Sequence, residues 1–277
     1  MGRAVLGSGE LIVPGEDDWI MSDVIAIPAL GDNFIYLHRC DDNRAFVVDP
    51  GEAAAVLETM DKHDLSLAAI LLTHHHWDHV GGAKELKSRT GCDIIGAGRR
   101  LLSTPDRTVA DGDTFALGDL TINVIATPGH TAACVCYHVE SSSEGRAGVV
   151  YTGDTLFVGG CGRPMECEPA VMWASLCKLA TLPDETRVCC GHDYTLESYE
   201  FALTIDPGNE AFRRRLAELQ KAVEYGQLTV PSTIAQEKAT NIFLLAGNPR
   251  IKAALEMPNA EPAEVFAELR RRKNRFG

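Results

Sequence analysis

The stretch THHHWDH, residues 73–79, constrains this chain more than any other, because it places four histidines and an aspartate within seven positions. Two leucines precede it and two glycines follow it, a pattern that predicts a buried strand running out into a loop before a helix. Side chains two residues apart on an extended segment point to the same side. We therefore expect His74 and His76 to reach one metal ion. Asp78 and His79 follow in the loop, where both can turn toward a second ion beside the first.

Several other predicted strands end in the same kinds of side chain. Four runs rich in β-branched residues end in histidine or aspartate, at His74 and His76, His130, Asp154 and His192. Imidazole and carboxylate ligands without an obvious thiolate suit zinc, iron or manganese in a catalytic rather than a structural site. Two-metal hydrolytic sites hold their ions about 3.5–4 Å apart, so we expect a bridging carboxylate and a bridging water. A solvated histidine-rich loop would explain the first motif alone, but not the three further strand ends.

Length, charge and cysteine content exclude several classes of protein. The chain has 277 residues and a formal net charge of -13, which argues against nucleic acid or an anionic membrane as the main partner. No apolar run approaches the roughly 18–20 residues that span a bilayer. Residues 1–20 have neither a secretory nor a transit-peptide pattern. The nine cysteines form no disulfide framework or zinc-ribbon spacing, so we expect a reducing, cytoplasmic location.

The composition changes after residue 194, and the remainder of the chain is predicted to be helical. We expect an N-terminal extension of unknown role over residues 1–21, a catalytic domain over 22–195, and a helical substrate-binding domain over 196–277. Residues 261–276 predict one amphipathic helix, and Thr233 with Gln236 can form a capping box at the start of another. The helix predicted over 209–226 has one apolar face, formed by Phe212, Leu216, Leu219 and Val223.

Four motifs together resemble one known family. THHHWDH, TPGHT, GDTLFVGGCGR and CCGHDYT, in this order, resemble the motifs of the metallo-β-lactamase superfamily and, within it, of glyoxalase II, the hydroxyacylglutathione hydrolases. The helical tail with VPSTIAQEKATN and the terminal basic run also fit, so the resemblance extends over roughly residues 22–277. It implies an α/β fold, an αββα sandwich of two mixed β-sheets with the metals at one edge, followed by a C-terminal all-helical domain.

The resemblance also implies a role for each metal ligand. One ion would be held by His74, His76 and His130, the other by Asp78, His79 and His192, with Asp154 as the bridge. His75 would then not be a ligand. The cofactors would be two divalent metal ions with a bridging hydroxide, and zinc is favoured over iron or manganese.

The activity implied by the resemblance is hydrolysis of a thioester. Glyoxalase II converts S-D-lactoylglutathione, a 2-hydroxyacylglutathione, to D-lactate and glutathione. A bridging hydroxide would attack the carbonyl carbon, and Asp78 would orient it or accept its proton. A thiol with a pKa of about 8.5 leaves readily as the thiolate, so no dedicated general acid is required.

Cationic and phenolic side chains are expected to bind the tripeptide. By resemblance these are Arg163, Tyr194, Arg270 and Lys273. Arg270 and Lys273 lie three residues apart on a predicted helix, so they share a face and can converge on one anion. Cations at a helix C-terminus also interact favourably with the helix dipole, which is the structural alternative.

Other functions remain open from the sequence. A persulfide dioxygenase resembles this superfamily and uses one iron, and a hydrolase acting on the thioester of another thiol would share the metal site. An RNA-processing nuclease and a non-catalytic metal-binding protein are weaker alternatives, since the charge is acidic and all seven ligands are present. Met165 and Cys167 depart from the residues that family members often carry after Arg163. We expect a monomer that acts on a small-molecule glutathione thioester.

Overall fold

The computed structural model describes residues 13–14, 19–21, 23–98, 105–140 and 147–276.

The first sheet forms one half of the molecule. The strands of the first sheet are β1 (Val13–Pro14), β2 (Trp19–Met21), β3 (Val24–Ala29), β4 (Asn33–Arg39), β5 (Arg44–Val48), β6 (Ser66–Leu72), β7 (Asp93–Gly96) and β8 (Arg107–Thr108). They lie side by side in chain order, antiparallel from β1 to β5 and parallel from β5 to β8. The described parts of the predicted N-terminal extension therefore add two strands to the edge of this sheet.

The second sheet is also mixed. Its strands are β9 (Thr114–Leu117), β10 (Leu120–Ala126), β11 (Val135–Val139), β12 (Val149–Gly153), β15 (Arg187–Cys190) and β16 (Ser232–Thr233). A separate hairpin consists of β13 (Leu156–Phe157) and β14 (Gly160–Cys161). The order across the sheet is β16-β15-β12-β11-β10-β9, in which β12 and β15 are parallel and the other neighbours antiparallel.

Helices cover the outer faces of both sheets. They are α1 (Ala53–Lys62), α2 (Trp77–Val80), α3 (Ala83–Thr90), α4 (Pro169–Leu179), α5 (Thr195–Ile205), α6 (Glu210–Glu224), α7 (Ile234–Thr240), α8 (Pro249–Ala254), α9 (Pro262–Lys273) and a short 3₁₀ helix (Leu244–Gly247). None of these helices is long and apolar enough to cross a membrane.

Strand alternation explains the layered arrangement. Successive strand residues face opposite sides of a sheet, so Val24 and Ala26 of β3 pack between the two sheets, against residues such as Tyr151. Ile25 and Ile27 of the same strand pack on the other side, in a cluster that contains residues of α1 and α3. The outer face of the second sheet packs on α4 and the C-terminal helices. The predicted αββα sandwich of two mixed sheets is confirmed.

The C-terminal region follows the sequence predictions closely. α6 begins after Asn209, whose side chain accepts hydrogen bonds from two backbone N–H groups, and it ends just before Gly226, where φ is +68°. The capping box of Thr233 and Gln236 is present at the start of α7. The region is helical apart from β16, which pairs with β15 and attaches this region to the second sheet.

The metal-ligand candidates lie where strands end. β6, β10, β12 and β15 lead into the loops that carry His74, His130, Asp154 and His192, respectively. Since these strands belong to two facing sheets, their ends meet along one edge of the sandwich. The fold thereby brings together residues that are far apart in the sequence.

Burial within α6 gives a test of the outer core. Phe212 is 0% exposed, whereas Val223, predicted on the same face, is 44% exposed at the end of the helix. Replacing a buried phenylalanine by alanine typically costs about 3–5 kcal/mol because it removes apolar contacts and leaves a cavity. We expect Phe212→Ala to lower the free energy of unfolding by that order, measured by urea denaturation. Val223→Ala is the matched control and should change it by no more than about 0.5 kcal/mol; equal losses would contradict the packing.

Candidate metal centre and adjoining pocket

Three histidines and an aspartate form the first group of candidate ligands. Ligand atoms of His74, His76, His130 and Asp154 all lie within 4.8 Å of one another. The Nδ1 atom of His76 is 3.1 Å from Nε2 of His74 and 2.9 Å from Nε2 of His130. The predicted spacing is therefore realised, because His74 and His76 face the same point from an extended segment.

A second group lies beside the first. It consists of Asp78, His79 and His192, whose ligand atoms also fall within 4.8 Å of one another. The Nε2 atoms of His79 and His192 are 3.1 Å apart, and Oδ2 of Asp78 is 3.4 Å from the first and 3.3 Å from the second. Asp78 and His79 reach this position from the short helix α2, which follows directly on the extended segment.

The carboxylate of Asp154 stands between the two groups. Its Oδ2 atom lies 3.2 Å from Nε2 of His130 and 3.8 Å from Nε2 of His74. Its Oδ1 atom lies 3.4 Å from Nε2 of both His79 and His192. Each oxygen thus faces a different group, which is the geometry of a bridging carboxylate.

Hydrogen bonds on the far side of the rings orient the histidines. The Nδ1 atoms of four rings have outer partners: Thr73 Oγ1 for His74 at 3.0 Å, Asp49 Oδ2 for His79 at 3.1 Å, the Arg163 carbonyl for His130 at 2.8 Å, and Asp32 Oδ1 for His192 at 3.1 Å. Carboxylate and carbonyl oxygens only accept, so Nδ1 must donate to them. In a neutral ring Nε2 is then the atom with the free lone pair, and it faces the centre.

Asp49 anchors several parts of this arrangement. It follows β5 directly and is buried, and its oxygens accept hydrogen bonds from the backbone N–H and the hydroxyl of Thr73. The Thr73 hydroxyl donates its only proton to Asp49, so its oxygen must accept the hydrogen bond from Nδ1 of His74. One carboxylate thus fixes the orientation of His74 and, directly, of His79. Asp49 lies within 4.8 Å of both rings, but it contacts His79 on the side away from the centre.

The charges of the site compensate one another. Burial acts to raise the pKa of Asp154, but the neighbouring imidazoles of His79, His130 and His192 together outweigh it and hold that pKa well below its usual range. Burial acts to lower the pKa of His192, but the neighbouring carboxylates of Asp154 and Asp78 raise it to about 10. Burial also acts to lower the pKa of His79, but the carboxylates of Asp154, Asp49 and Asp78 together outweigh it and raise that pKa.

These residues fit a pair of divalent cations. Two groups of imidazole and carboxylate donors converge, and neutral rings would direct unshared lone pairs at each other. Oδ1 of Asp154 is buried without a hydrogen-bond partner among the described residues. Such an atom is costly unless it is satisfied. Nitrogen and oxygen donors of this kind are those that zinc, iron and manganese accept.

A cavity of about 260 Å³ adjoins the centre. Its walls include His130 and Asp154 on the metal side and all four residues predicted to bind substrate, Arg163, Tyr194, Arg270 and Lys273. The Tyr194 ring stacks on His192, with centroids 5.0 Å apart and planes 8° apart. Burial, followed by the charge of Asp32, raises the pKa of Tyr194, so the phenol stays protonated and can donate.

Arg270 and Lys273 share a face of α9, as predicted, but they differ in their contacts. The Arg270 guanidinium is buried, donates to the Cys161 carbonyl at 3.0 Å and to Asn274 at 2.7 Å, and lies over the ring of Phe243. Lys273 forms an ion pair with Glu197. Part of each cation is therefore already engaged by the protein.

Three residues near the centre belong to neither group of candidate ligands. His75 points away from both groups, and its Nε2 lies 3.5 Å from Glu166. Burial raises the pKa of the Cys161 thiol to about 11, so it stays protonated and suits packing rather than nucleophilic attack. Met165 is 62% exposed and does not line the cavity, although its backbone N–H donates to the His130 carbonyl.

Sequence reasoning missed the outer partners. Asp49, Asp32 and Asn33 were not singled out, although Asn33 donates to Oδ2 of Asp78 at 3.2 Å. The available signal was an aspartate directly after a buried strand, in AFVVDPG. No sequence pattern indicates Asp32, because it contacts His192 only when the two sheets pack against each other.

A close approach also depends on Gly191. A Cβ atom there would lie 2.7 Å from a ring carbon of His79 and 2.8 Å from Oδ1 of Asp154. The glycine in CCGH therefore allows the backbone beside His192 to pass close to both groups.

The contacts of Asp49 generate a test. Loss of an outer hydrogen bond to a metal-binding histidine typically costs about 10–100-fold in metal affinity. We expect Asp49→Asn to weaken metal binding by that order, measured by competition with a chromogenic chelator. Asp61→Asn, which alters an exposed carboxylate on α1, is the control and should bind as tightly as the unmodified protein. Unchanged affinity in Asp49→Asn would contradict the orienting role.

Comparison with known solved structures supports the fold. A structure described as BLEG-1 B3 metallo-beta-lactamase matches with a TM-score of 0.60 at 23% identity, covering 80% of this chain and 99% of that one. ETHE1 from Myxococcus xanthus matches with a TM-score of 0.57 at 27% identity, covering 84% of this chain and 89% of that one.

Sequence comparison identifies the family. A family model described as metallo-beta-lactamase superfamily matches residues 29–192, and one described as hydroxyacylglutathione hydrolase C-terminus matches residues 193–276. A hydroxyacylglutathione hydrolase of Ruegeria pomeroyi is 44% identical over 257 residues, which cover 92% of this chain and 99% of that protein. One of Methylococcus capsulatus is 42% identical over 259 residues, with the same coverage. The chain belongs to the metallo-beta-lactamase superfamily and, within it, to the hydroxyacylglutathione hydrolases.

Proposed function

We propose that this protein is a dinuclear metal-dependent thioesterase that hydrolyses S-D-lactoylglutathione to D-lactate and glutathione. The observation that carries the proposal is the position of Asp154 between two groups of donors, at the wall of a cavity lined by three cations. The family membership and the names of the relatives support the same reaction. The two divalent ions are proposed to be zinc.

The proposed ligands follow the two groups. His74, His76 and His130 would hold one ion, Asp78, His79 and His192 the other, and Asp154 both. When bound, the two ions would supply a bridging water of lowered pKa and an electrophile for the thioester carbonyl. The outer hydrogen bonds keep each imidazole oriented toward the centre, so no ring has to reorganise during the reaction.

Asp78 is proposed to act as a base or as an orienting group, not as an acid. Burial acts to raise its pKa, but hydrogen bonds from His192 and His79, with a smaller contribution from Asn33, outweigh it and hold that pKa below its usual range. A carboxylate with so low a pKa stays ionised, so it can accept a hydrogen bond from the attacking water and orient it, and it has no proton to give to a leaving group. A leaving group that departs as a thiolate needs no proton, which suits a thioester better than an amide.

The cavity suits part of a tripeptide rather than a macromolecule. Small-molecule sites typically enclose about 300–1,000 Å³, and this cavity lies just below that range. Arg163, Arg270 and Lys273 bring positive charge to a chain whose net charge is -13. Local cations within an acidic protein favour an anionic ligand at this place, and the carboxylates of glutathione match it.

Some expectations stay predictions. These are the domain boundaries at residues 21 and 195, the monomeric state and the cytoplasmic location. A single-iron oxygenase is the enzymatic alternative, and the complete second group of Asp78, His79 and His192 argues for two ions.

The bridge is tested by removing it. Asp154→Ala takes away the carboxylate shared by both groups, so turnover of S-D-lactoylglutathione should fall at least about 1,000-fold, as expected when a group acting in the transition state is lost. Prolonged chelation of the unmodified protein should abolish turnover, and added zinc should restore it. Near-normal turnover in Asp154→Ala with a normal circular dichroism spectrum would contradict the ligand assignment.

The cationic wall is tested at Lys273. Lys273→Ala should raise KM for S-D-lactoylglutathione about 5- to 20-fold with little change in kcat, since a charged contact to bound substrate contributes about 1–2 kcal/mol. The control is Lys238→Ala, which removes an exposed lysine paired with Asp184 at 2.8 Å, away from the cavity. Equal KM values for the two variants would show that Lys273 does not bind substrate and has only a structural role.

A further inference from the structure

Lys273 already has an anionic partner within the protein. It lines the cavity, and its ammonium forms a close ion pair with Glu197 in the first turn of α5. The same ammonium lies 5.3 Å from the centroid of the Phe276 ring. The charge that a substrate carboxylate would seek is therefore already compensated by a carboxylate of the protein.

Arg270 is not compensated in this way. Its contacts are with neutral groups, the Cys161 carbonyl, the Asn274 side chain and the Phe243 ring. Its Nε atom is buried without a hydrogen-bond partner among the described residues. Of the two cations of α9 that line the cavity, Arg270 thus has no carboxylate partner among the described residues, whereas Lys273 is paired with Glu197.

The two members of the ion pair differ in their freedom to move. The Lys273 side chain is 12% exposed, whereas the Glu197 side chain is 44% exposed. A carboxylate that keeps nearly half its surface in water can rotate into solvent at little desolvation cost. The lysine has less freedom to move, because the cavity wall and the Phe276 ring enclose most of its side chain.

We propose that Glu197 is a specificity-determining residue that competes with the substrate for Lys273. A carboxylate of the thiol carrier must displace Glu197 from the ammonium or share it at the cost of repulsion between like charges. Glu197 therefore lowers the affinity of the cavity for anionic carriers and does not affect neutral ones. The inference rests on the proposed function, since it assigns how that same site selects its thiol.

If Glu197 had only a structural role, its replacement would have a different effect on stability and kinetics. An acidic residue in the first turn of a helix interacts favourably with the helix dipole. Its loss would then change stability but not the dependence of the kinetics on substrate charge. A role in holding Lys273 in position would make the kinetics worse, not better.

The experiment compares variants of Glu197 with one of Glu200, an exposed acidic residue on the same helix. With S-D-lactoylglutathione, we expect Glu197→Gln to raise kcat/KM about two- to fivefold, the factor that corresponds to a partly exposed ion pair. The inhibition constant of glutathione should fall by the same factor. Glu197→Ala should act in the same direction, and Glu200→Gln should change neither quantity.

Two further measurements isolate the charge exchange. With the same thioester carrying both carboxylates as amides, Glu197→Gln should leave kcat/KM unchanged. In a Lys273→Ala background, Glu197→Gln should raise kcat/KM with the anionic substrate by a clearly smaller factor, because the group that Glu197 competes for is gone and only the repulsion between like charges remains. Such a double-variant cycle measures the coupling between the two residues directly.

Three outcomes would overturn the inference. They are a lower kcat/KM in Glu197→Gln, an unchanged value, and an equal rise with the anionic and the amidated substrates. Each of these outcomes counts against the inference on the condition that the unmodified protein hydrolyses S-D-lactoylglutathione. Absence of that hydrolysis in the metal-loaded, unmodified protein would instead contradict the proposed function, and the inference would fall with it.

Discussion

The hydrogen bonds of Asp49 are the constraint on which the metal centre depends. One buried carboxylate accepts from the Thr73 backbone, from the Thr73 hydroxyl and from Nδ1 of His79. Because Thr73 follows β6 and Asp49 follows β5, these bonds tie together two neighbouring strand ends. The same bonds leave Nε2 of His74 and His79 directed at the centre. The two packed sheets place the histidines near one another, and the hydrogen bonds of Asp49 orient the rings of His74 and His79 toward the centre.

The two halves of the site come from different parts of the architecture. The donors lie in loops and in the short helix α2, which follow strands of the two packed sheets, and Asp154 lies where the two groups meet. Two of the three cations that line the adjoining cavity, Arg270 and Lys273, lie on helix α9, while Arg163 lies after β14. The metal donors and these two proposed substrate-binding cations therefore lie on different elements. Substitutions on α9 should alter which thiol carrier binds without disturbing the metal donors.

The sequence predicted the elements well and the long-range partners poorly. His74 and His76 face one point because the segment between β6 and α2 is extended, which is a local property that spacing reveals. The capping box at Thr233 is local in the same sense. By contrast, Asp32 meets His192 across 160 positions and Glu197 meets Lys273 across 76. Such contacts depend on how sheets and helices pack, so neither residue type nor spacing identified them. Val223 follows the helical period but lies beyond the packed part of α6.

The central claim is that two metal ions act together at this centre. The most direct measurement adds zinc in known amounts to the metal-free protein and records hydrolysis of S-D-lactoylglutathione together with bound zinc on the same samples. The account predicts that full turnover requires close to two ions per chain. Full turnover with one ion per chain, or two tightly bound ions without any hydrolysis, would contradict it.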